Sequence, residues 1–364
     1  MASQIDQTKE RGRTGTRLRK RWIALIKLGI GLGLIILLFS SGRIEPSKLL
    51  AVRGRWGDFL LAQGIFLLSF LATILRWHLL LHALGVPARF KDASRLGWVG
   101  LFFSQVLPGS TGGDLVKGYY VARERPQRRP EAVLSVLLDR VIGLTALMVL
   151  GGLALFFNRE RVGQDPFLQR LGIALGVTAT TVLAVGGLLA WQGFWRLPWV
   201  QWCYRRIPGW RVMGRLTRAL WALHGKRRAL LWTLLVSLAS HAGFVFTSLF
   251  LARALHGGTP SVATYFFLVP VGQLAFALPI APGGLGVGEW AYEALFTQAG
   301  EAGGAELAVL VRLTAILWAG VGLYYYLRGR VTLQEAVRAA EDEGCEEQAL
   351  PAGEPATSQS SSPC

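Results

Sequence analysis

Along the chain, apolar runs alternate with basic clusters. Residues 229–252 and 171–193 contain no charged side chain. Each run is longer than 20 residues, enough at about 1.5 Å per residue to cross the roughly 30 Å hydrocarbon core of a bilayer. A helix in water would show a polar face within such a stretch, and neither run has one. Four further runs, 22–39, 59–75, 132–157 and 307–327, read as spans of the same kind. The first has a cleaved signal peptide as its rival reading, but its apolar stretch exceeds the usual length of a signal core. The pattern predicts an all-α integral membrane protein of six full spans.

Two other apolar stretches break up. Residues 96–107 are too few to cross, and they run into Pro108-Gly109-Ser110-Thr111-Gly112-Gly113 before an apolar exit over 115–121. Residues 262–278 contain Pro270 and run into Pro279-Ile280-Ala281-Pro282-Gly283-Gly284, with an exit over 290–296. Both read as re-entrant hairpins, because irregular backbone at membrane depth is tolerated only where protein or a cavity surrounds it. The segments share the pattern Leu-Pro-x-x-x-Gly-Gly, at 107–113 and 278–284, an offset of 171 residues. Each precedes an apolar helix with an arginine inside it. These are Arg140 and Arg312, 172 residues apart. Two matched positions in a chain with 44 glycines argue for inverted-topology repeats, which place a binding site at their pseudo-symmetry centre.

Composition agrees: 52% hydrophobic, 17% charged and mean hydropathy +0.39. The net charge of +17 does not point to nucleic acid, since the basic residues cluster between apolar runs, as in cytoplasmic loops beside anionic headgroups. Residues 192–228 hold nine Lys/Arg and no acid, so this loop is expected on the cytoplasmic side. Both termini follow it there. The opposing loop at 41–56, with four basic residues and one acid, fits that orientation less well. Residues 1–21 read as a basic cytoplasmic tail, 22–327 as the membrane domain and 328–364 as an acidic, Ser/Pro-rich tail. Within the basic loop, Met213, Leu216, Leu220 and Leu223 fall at helical spacing. They suit an amphipathic helix on the inner leaflet or a solvated loop helix equally. Cys203, Cys345 and Cys364 form no metal-ligand spacing, and a disulfide framework is not expected.

The chemistry concentrates in the membrane. An ionisable side chain at mid-bilayer costs about 2.5–3.5 kcal/mol on insertion scales, so it persists mainly where it is paired or useful. Asp114, Lys117, Asp139, Arg140, Glu289, Glu293 and Arg312 are the candidates. Arg140 and Arg312, helped by Lys117, would bind phosphate. The glycines let backbone approach a ligand, and amides after each Gly-Gly would add to an anion pocket. Asp114, Asp139 or Glu289 could couple movement to protons. The plainer alternative is that Asp139 and Arg140 neutralise other buried charge, and that Asp114 and Glu289 offset helix dipoles. None of the five histidines is assigned a role. No nucleophile–base, P-loop or metalloprotease motif occurs, and no cofactor or metal is expected.

The runs Gly113-Asp114-Leu115-Val116-Lys117, Asp139-Arg140, Pro282-Gly283-Gly284-Leu285-Gly286-Val287-Gly288-Glu289 and Val311-Arg312-Leu313 together resemble the lysylphosphatidylglycerol synthase transmembrane (flippase-like) family. The resemblance covers 22–327. The family usually shows Gly-Glu and Arg where this chain has Gly113-Asp114 and Lys117, and Glu-Arg where it has Asp139-Arg140. Charge is kept, but lysine lacks the bidentate fork of arginine. The resemblance implies a bacterial or archaeal inner-membrane protein that moves a lipid-linked substrate between leaflets. The full synthases add a soluble aminoacyl-transferase domain; with 37 mostly polar residues following Leu327, lysyl-phosphatidylglycerol synthesis is not expected here.

The leading expectation is a flippase-like transporter for an anionic, phosphate-bearing lipid, with membrane lipids as partners and no nucleic acid. Its substrate-binding set would be Arg140, Arg312, Lys117, Pro108, Gly112, Gly113, Asp114, Asp139, Pro279, Pro282, Gly283, Gly284 and Glu289. Two rival readings are a non-transporting scaffold that partners a lipid-modifying enzyme or glycosyltransferase, and a membrane enzyme acting on a polyprenyl phosphate.

Overall fold

The computed structural model describes residues 51–107, 112–157, 225–258, 260–277 and 285–328, with isolated positions at 40 and within 166–197. Among the described residues every regular element is helical. Four of the helices are long and apolar enough to cross a membrane, so the chain is a polytopic helical membrane protein. The expected spans over 22–39 and 171–193, the amphipathic segment, both tails, and Pro108, Pro279, Pro282, Gly283 and Gly284 lie outside the described residues.

Eight helices carry the architecture: α1 (Trp56–Ala83), α2 (Phe90–Val106), α3 (Gly112–Glu124), α4 (Arg129–Phe157), α5 (Arg227–His256), α6 (Val262–Ala277), α7 (Val287–Gln298) and α8 (Gly304–Arg328). Local chemistry sets their ends. A turn through Gly85, at φ 73°, ends α1. Asp92 accepts the Arg89 amide at 3.4 Å as α2 begins. Pro130 occupies the first turn of α4, where its missing N–H costs nothing. Gly257, left-handed at φ 71°, closes α5 by donating to the Arg253 carbonyl. At the start of α7, Glu289 accepts the Gly286 amide at 2.8 Å.

The order repeats. The starts of α1, α2, α3 and α4 recur in α5, α6, α7 and α8 after 171, 172, 175 and 175 residues, and the ends recur after 173, 171, 174 and 171. The extra four residues enter between the second Gly-Gly and Glu289, as Leu285-Gly286-Val287-Gly288. Contacts obey the same relation. Arg55 donates to the Ala254 carbonyl at 3.3 Å and Lys226 to the Ala83 carbonyl at 2.5 Å. Donor and acceptor in the second bond are each displaced by 171 from their counterparts in the first. At the midpoint, Ser240 Oγ donates to the carbonyl of Ser69, again 171 residues away.

Helices α1 and α5 therefore run antiparallel and cross on a local two-fold axis. That axis is perpendicular to both helices, so it lies in the plane of the membrane they span. The two halves have opposed topology.

Apolar burial is no driving force between helices that already sit in lipid, so association rests on close packing and polar contacts. Glycine supplies the closeness. A Cβ on Gly113 would overlap the Gly100 carbonyl where α3 meets α2, and one on Gly322 would overlap the Trp98 carbonyl where α8 meets α2. Thr73 and Ser240 hydroxyls meet at 2.7 Å across the α1–α5 crossing, and Gln63 donates to Thr314 at 3.0 Å to tie α1 to α8. Among the described residues the core forms two clusters, each drawn mainly from one half, with some exchange. Leu150 and Ala154 near the end of α4 join the second half's cluster, while Trp318, Val321 and Tyr326 of α8 pack on the first half's. Leu60, Leu68, Leu137 and Leu317 point outward, as a lipid-facing surface requires.

Two expectations need correcting. The first broken helix is longer than its apolar run, since α2 starts at Phe90 rather than at residue 96. Lys91, Asp92 and Arg95 make its first turns polar, which hid the helix from hydropathy. Likewise, α1 does not end with the apolar run at residue 75 but continues to Ala83, and Arg76 and Trp77, just past that run, are buried.

Candidate functional site

Seven of the eight helices, all but α7, enclose one cavity of about 450 Å³ between the halves, within the size range of small-molecule sites. Part of its lining is aromatic and aliphatic, with Phe66, Phe70, Phe244, Leu144 and Leu147. Part of it is charged. Asp114, Lys117, Asp139, Arg140 and Arg312, five of the expected residues, all line it, together with Arg76.

The charges are organised by half. In the first half they form a chain. Arg140 Nη1 donates to Asp114 Oδ2 at 2.6 Å, and Asp114 Oδ1 lies 3.2 Å from Lys117 Nζ. Lys117 reaches Asp139 at 3.6 Å, and Asp139 accepts from Arg76 Nε at 2.7 Å. Arg76 also donates to Ser237 at 2.8 Å. Lys117 sits 5.0 Å above the Trp77 ring, whose indole N–H is fixed by Ser135 at 3.1 Å. In the second half, Glu289 accepts Arg312 Nε on one oxygen and Arg312 Nη2 on the other, the latter at 3.1 Å. The Arg312 guanidinium lies 5.2 Å from the Phe276 ring.

The pairs Arg140–Asp114 and Arg312–Glu289 are copies of one another. Their acids are 175 apart, as are the starts of α3 and α7, and their arginines are 172 apart, between the start and end offsets of α4 and α8, 175 and 171. They differ in access. Arg140 and Asp114 are 29% and 26% exposed, whereas Arg312 and Glu289 are 11% and 0%. Pairing is therefore part of how these ions are held in the membrane, and it leaves Arg140 open to the cavity. The rest of the first-half chain has no copy. Residues 171–175 beyond Arg76, Asp139 and Lys117 are Thr247, Val311 and Tyr292.

The expected glycines act by closeness. Gly113 lets α3 lie against Gly100 and Ser104, and Gly112 sits against Leu107. A Cβ on Gly100 would come within 2.8 Å of the Lys117 stem, so that glycine makes room for the lysine. Glu293 lies away from the cavity and accepts the Ala305 amide at 3.0 Å.

Four further residues belong to the site: Arg76, Gly100, His241 and Gln273. Arg76 was masked by its place at the edge of an apolar run, although the leucines at 79–81 continue that run. His241 and Gln273 stand alone inside otherwise apolar spans, and that isolation is itself the signal.

The described residues thus form a helical membrane domain with opposed halves around a shared, partly charged cavity. Residues 24–324 match the family described as Lysylphosphatidylglycerol synthase TM region, and the chain belongs to that family. It is 26% identical over 338 residues to Glycosyltransferase AglD of Haloferax volcanii, a match covering 82% of this chain and 51% of AglD. The chain thus spans about half the length of that relative. It is 24% identical over 319 residues to UPF0104 membrane protein PH1989 of Pyrococcus horikoshii, covering 82% of this chain and 91% of that protein.

Proposed function

We propose that this protein is a flippase-like transporter that carries an anionic, phosphate-bearing lipid, or lipid-linked substrate, between leaflets. The supporting observation is the cavity. It sits between opposed halves, combines apolar and charged lining as an amphiphile requires, and has Arg140, Lys117 and Arg312 in that lining. Arg140 and Arg312 receive the phosphate and Lys117 supplies a third cation. Gly112 and Gly113, with Pro108, Pro279, Pro282, Gly283 and Gly284 of the sequence pattern, complete the proposed substrate-binding set. In this reading the chain catalyses no covalent step. It lies in the cytoplasmic membrane with both termini inside, as the nine basic residues of the 192–228 loop favour.

The direct test uses purified protein in vesicles with acyl-labelled lipids. Anionic phospholipid should exchange leaflets faster than in protein-free vesicles, and Arg140→Gln with Arg312→Gln should bring the rate back to that background. Absence of any headgroup-dependent exchange would sink the proposal. The name of the AglD relative favours a second reading, a scaffold for a lipid-glycosylating partner. A scaffold would keep its partner and its cellular role in the double arginine variant, whereas a transporter would lose the role.

A further inference from the structure

We propose that the acidic segment 341–347 of this chain docks on a basic surface formed by the start of α2, the end of α3 and the start of α4, and so ties the tail to the first hairpin. This contact is separate from the cavity and stands whether or not the chain moves lipid.

The two-fold relation between the halves supplies the control. Residues 84–95 and 122–131, at the far ends of the first hairpin and the entry to α4, hold seven Lys/Arg against three acids. The matching positions, 255–266 at an offset of 171 and 297–306 at an offset of 175, hold no Lys/Arg and two acids. One end thus carries an excess of four positive charges and its copy two negative ones. The fold is the same at both ends, so packing does not ask for this difference. Arg89, Lys91, Arg95, Arg123, Arg128 and Arg129 are exposed. Each acid is already set against an arginine, Glu124 against Arg95, Asp92 against Arg125 at 3.8 Å and Glu131 against Arg128 at 3.5 Å. Lys226, also exposed, extends the surface, because its ammonium donates to the Ala83 carbonyl at the end of α1. A basic surface at a membrane face attracts anionic groups.

The chain provides such a group within reach. The segment Glu341-Asp342-Glu343-Gly344-Cys345-Glu346-Glu347 has five acids in seven positions and no base. The two-fold that reverses α1 and α5 also reverses α4 and α8, so α8 ends on the side where α4 begins. Tyr326, in the last turn of α8, packs on Phe102 and Phe103 of α2, with ring centroids 6.2 and 5.1 Å apart. From Phe102 back to Phe90 is roughly 18 Å of helix, and the 12 residues between Arg328 and Glu341 can span up to about 40 Å. So short a tether holds the acids at an effective concentration on the order of millimolar, which favours this segment over an untethered acidic partner. Exposed ion pairs count for little singly and for more as a network, and five acids facing an excess of four bases make one.

The experiment is zero-length carbodiimide coupling on the full chain, one copy per nanodisc of phosphatidylcholine, a lipid that offers no anionic competitor. Coupling condenses a Glu or Asp carboxyl with a lysine amine in direct contact, and mass spectrometry locates the amide. Of the chain's seven lysines, Lys91 and Lys226 lie on the basic surface. Amides should join residues 341–347 to Lys91 or Lys226. Their yield should fall several-fold as salt rises from about 0.1 M to about 1 M, because the screening length shrinks from about 10 Å to about 3 Å. Arg128→Glu with Arg129→Glu leaves both lysines in place and cancels the positive excess. In that variant the yield should fall about tenfold.

Absence of any amide between 341–347 and these two lysines would overturn the docking. Coupling confined to Lys9 and Lys20 would overturn it as well, by placing the acids on the basic amino-terminal segment instead. A yield unchanged by salt, or by the charge reversal, would reduce the contact to chance proximity of a tethered segment and remove the charge-matched surface. If the double variant fails to fold, the salt series on the unmodified chain decides alone.

Discussion

The two halves share one plan but carry different loads. Each places an acid at the start of its second short helix against an arginine in the following span, Asp114 with Arg140 and Glu289 with Arg312. The second-half pair is more deeply buried, although Arg312 still lines the cavity, and Glu289 also caps α7 through the Gly286 amide. The first-half pair is open, and only that half extends into Lys117, Asp139 and Arg76. Symmetry positions the site at the crossing of α1 and α5, and asymmetry gives it chemistry. The second half clamps while the first half presents charge.

Breaking the unmatched chain should have the largest effect. Asp139→Ala removes the carboxylate against Arg76, which is 5% exposed. Uncompensated buried charge costs about 3–5 kcal/mol, so folded yield and thermal stability in detergent should collapse. A melt close to wild type would show that Arg76 is solvated by another route.

Next come the matched pairs. Glu289→Gln should destabilise by about 2–3 kcal/mol, because buried Arg312 loses its carboxylate, while the glutamine amide oxygen can still accept the Gly286 amide. Asp114→Asn should cost about 1 kcal/mol or less, since Arg140 reaches the cavity. Equal melting shifts would erase the distinction between clamp and open pair.

The glycines sharpen the comparison further. Gly113→Ala drives a methyl into the Gly100 backbone, whereas Gly288→Ala meets the Phe276 ring. Backbone cannot yield as a ring can, so the first should lose about 1–3 kcal/mol and the second less. Detergent melts of the two variants decide it. The smallest effect is expected at the axis. Ser240→Ala gives up hydroxyl contacts to Thr73 and Ser69 and should cost about 0.6 kcal/mol, the average for such bonds in membranes. A loss above about 2 kcal/mol would mean that polar contacts rather than packing hold the α1–α5 crossing.

The sequence revealed more of the architecture than of the site. Charge-free runs announce a span because lipid tolerates little else, and a recurring Leu-Pro…Gly-Gly with a recurring arginine exposes the repeat. Helix α2 was cut short because its polar first turns look like a loop to hydropathy. Arg140, Arg312, Asp114, Lys117 and Asp139 were legible because ionisable groups inside spans are costly. Their partners were not, since pairing Arg76 with Asp139 joins positions 63 residues apart through a helix crossing that no local pattern encodes. The four-residue insertion before Glu289 also hid the match between Asp114 and Glu289, which appears only when the starts of α3 and α7 are superposed.

The measurement closest to the central claim is a structure of the protein determined in a bilayer of anionic phospholipid. The account predicts headgroup density between the halves, with the phosphate within hydrogen-bond reach of Arg140 and its acyl chains leaving past Phe66 and Phe70. A cavity empty of phosphate, with lipid bound only on the outer helix faces, would contradict it.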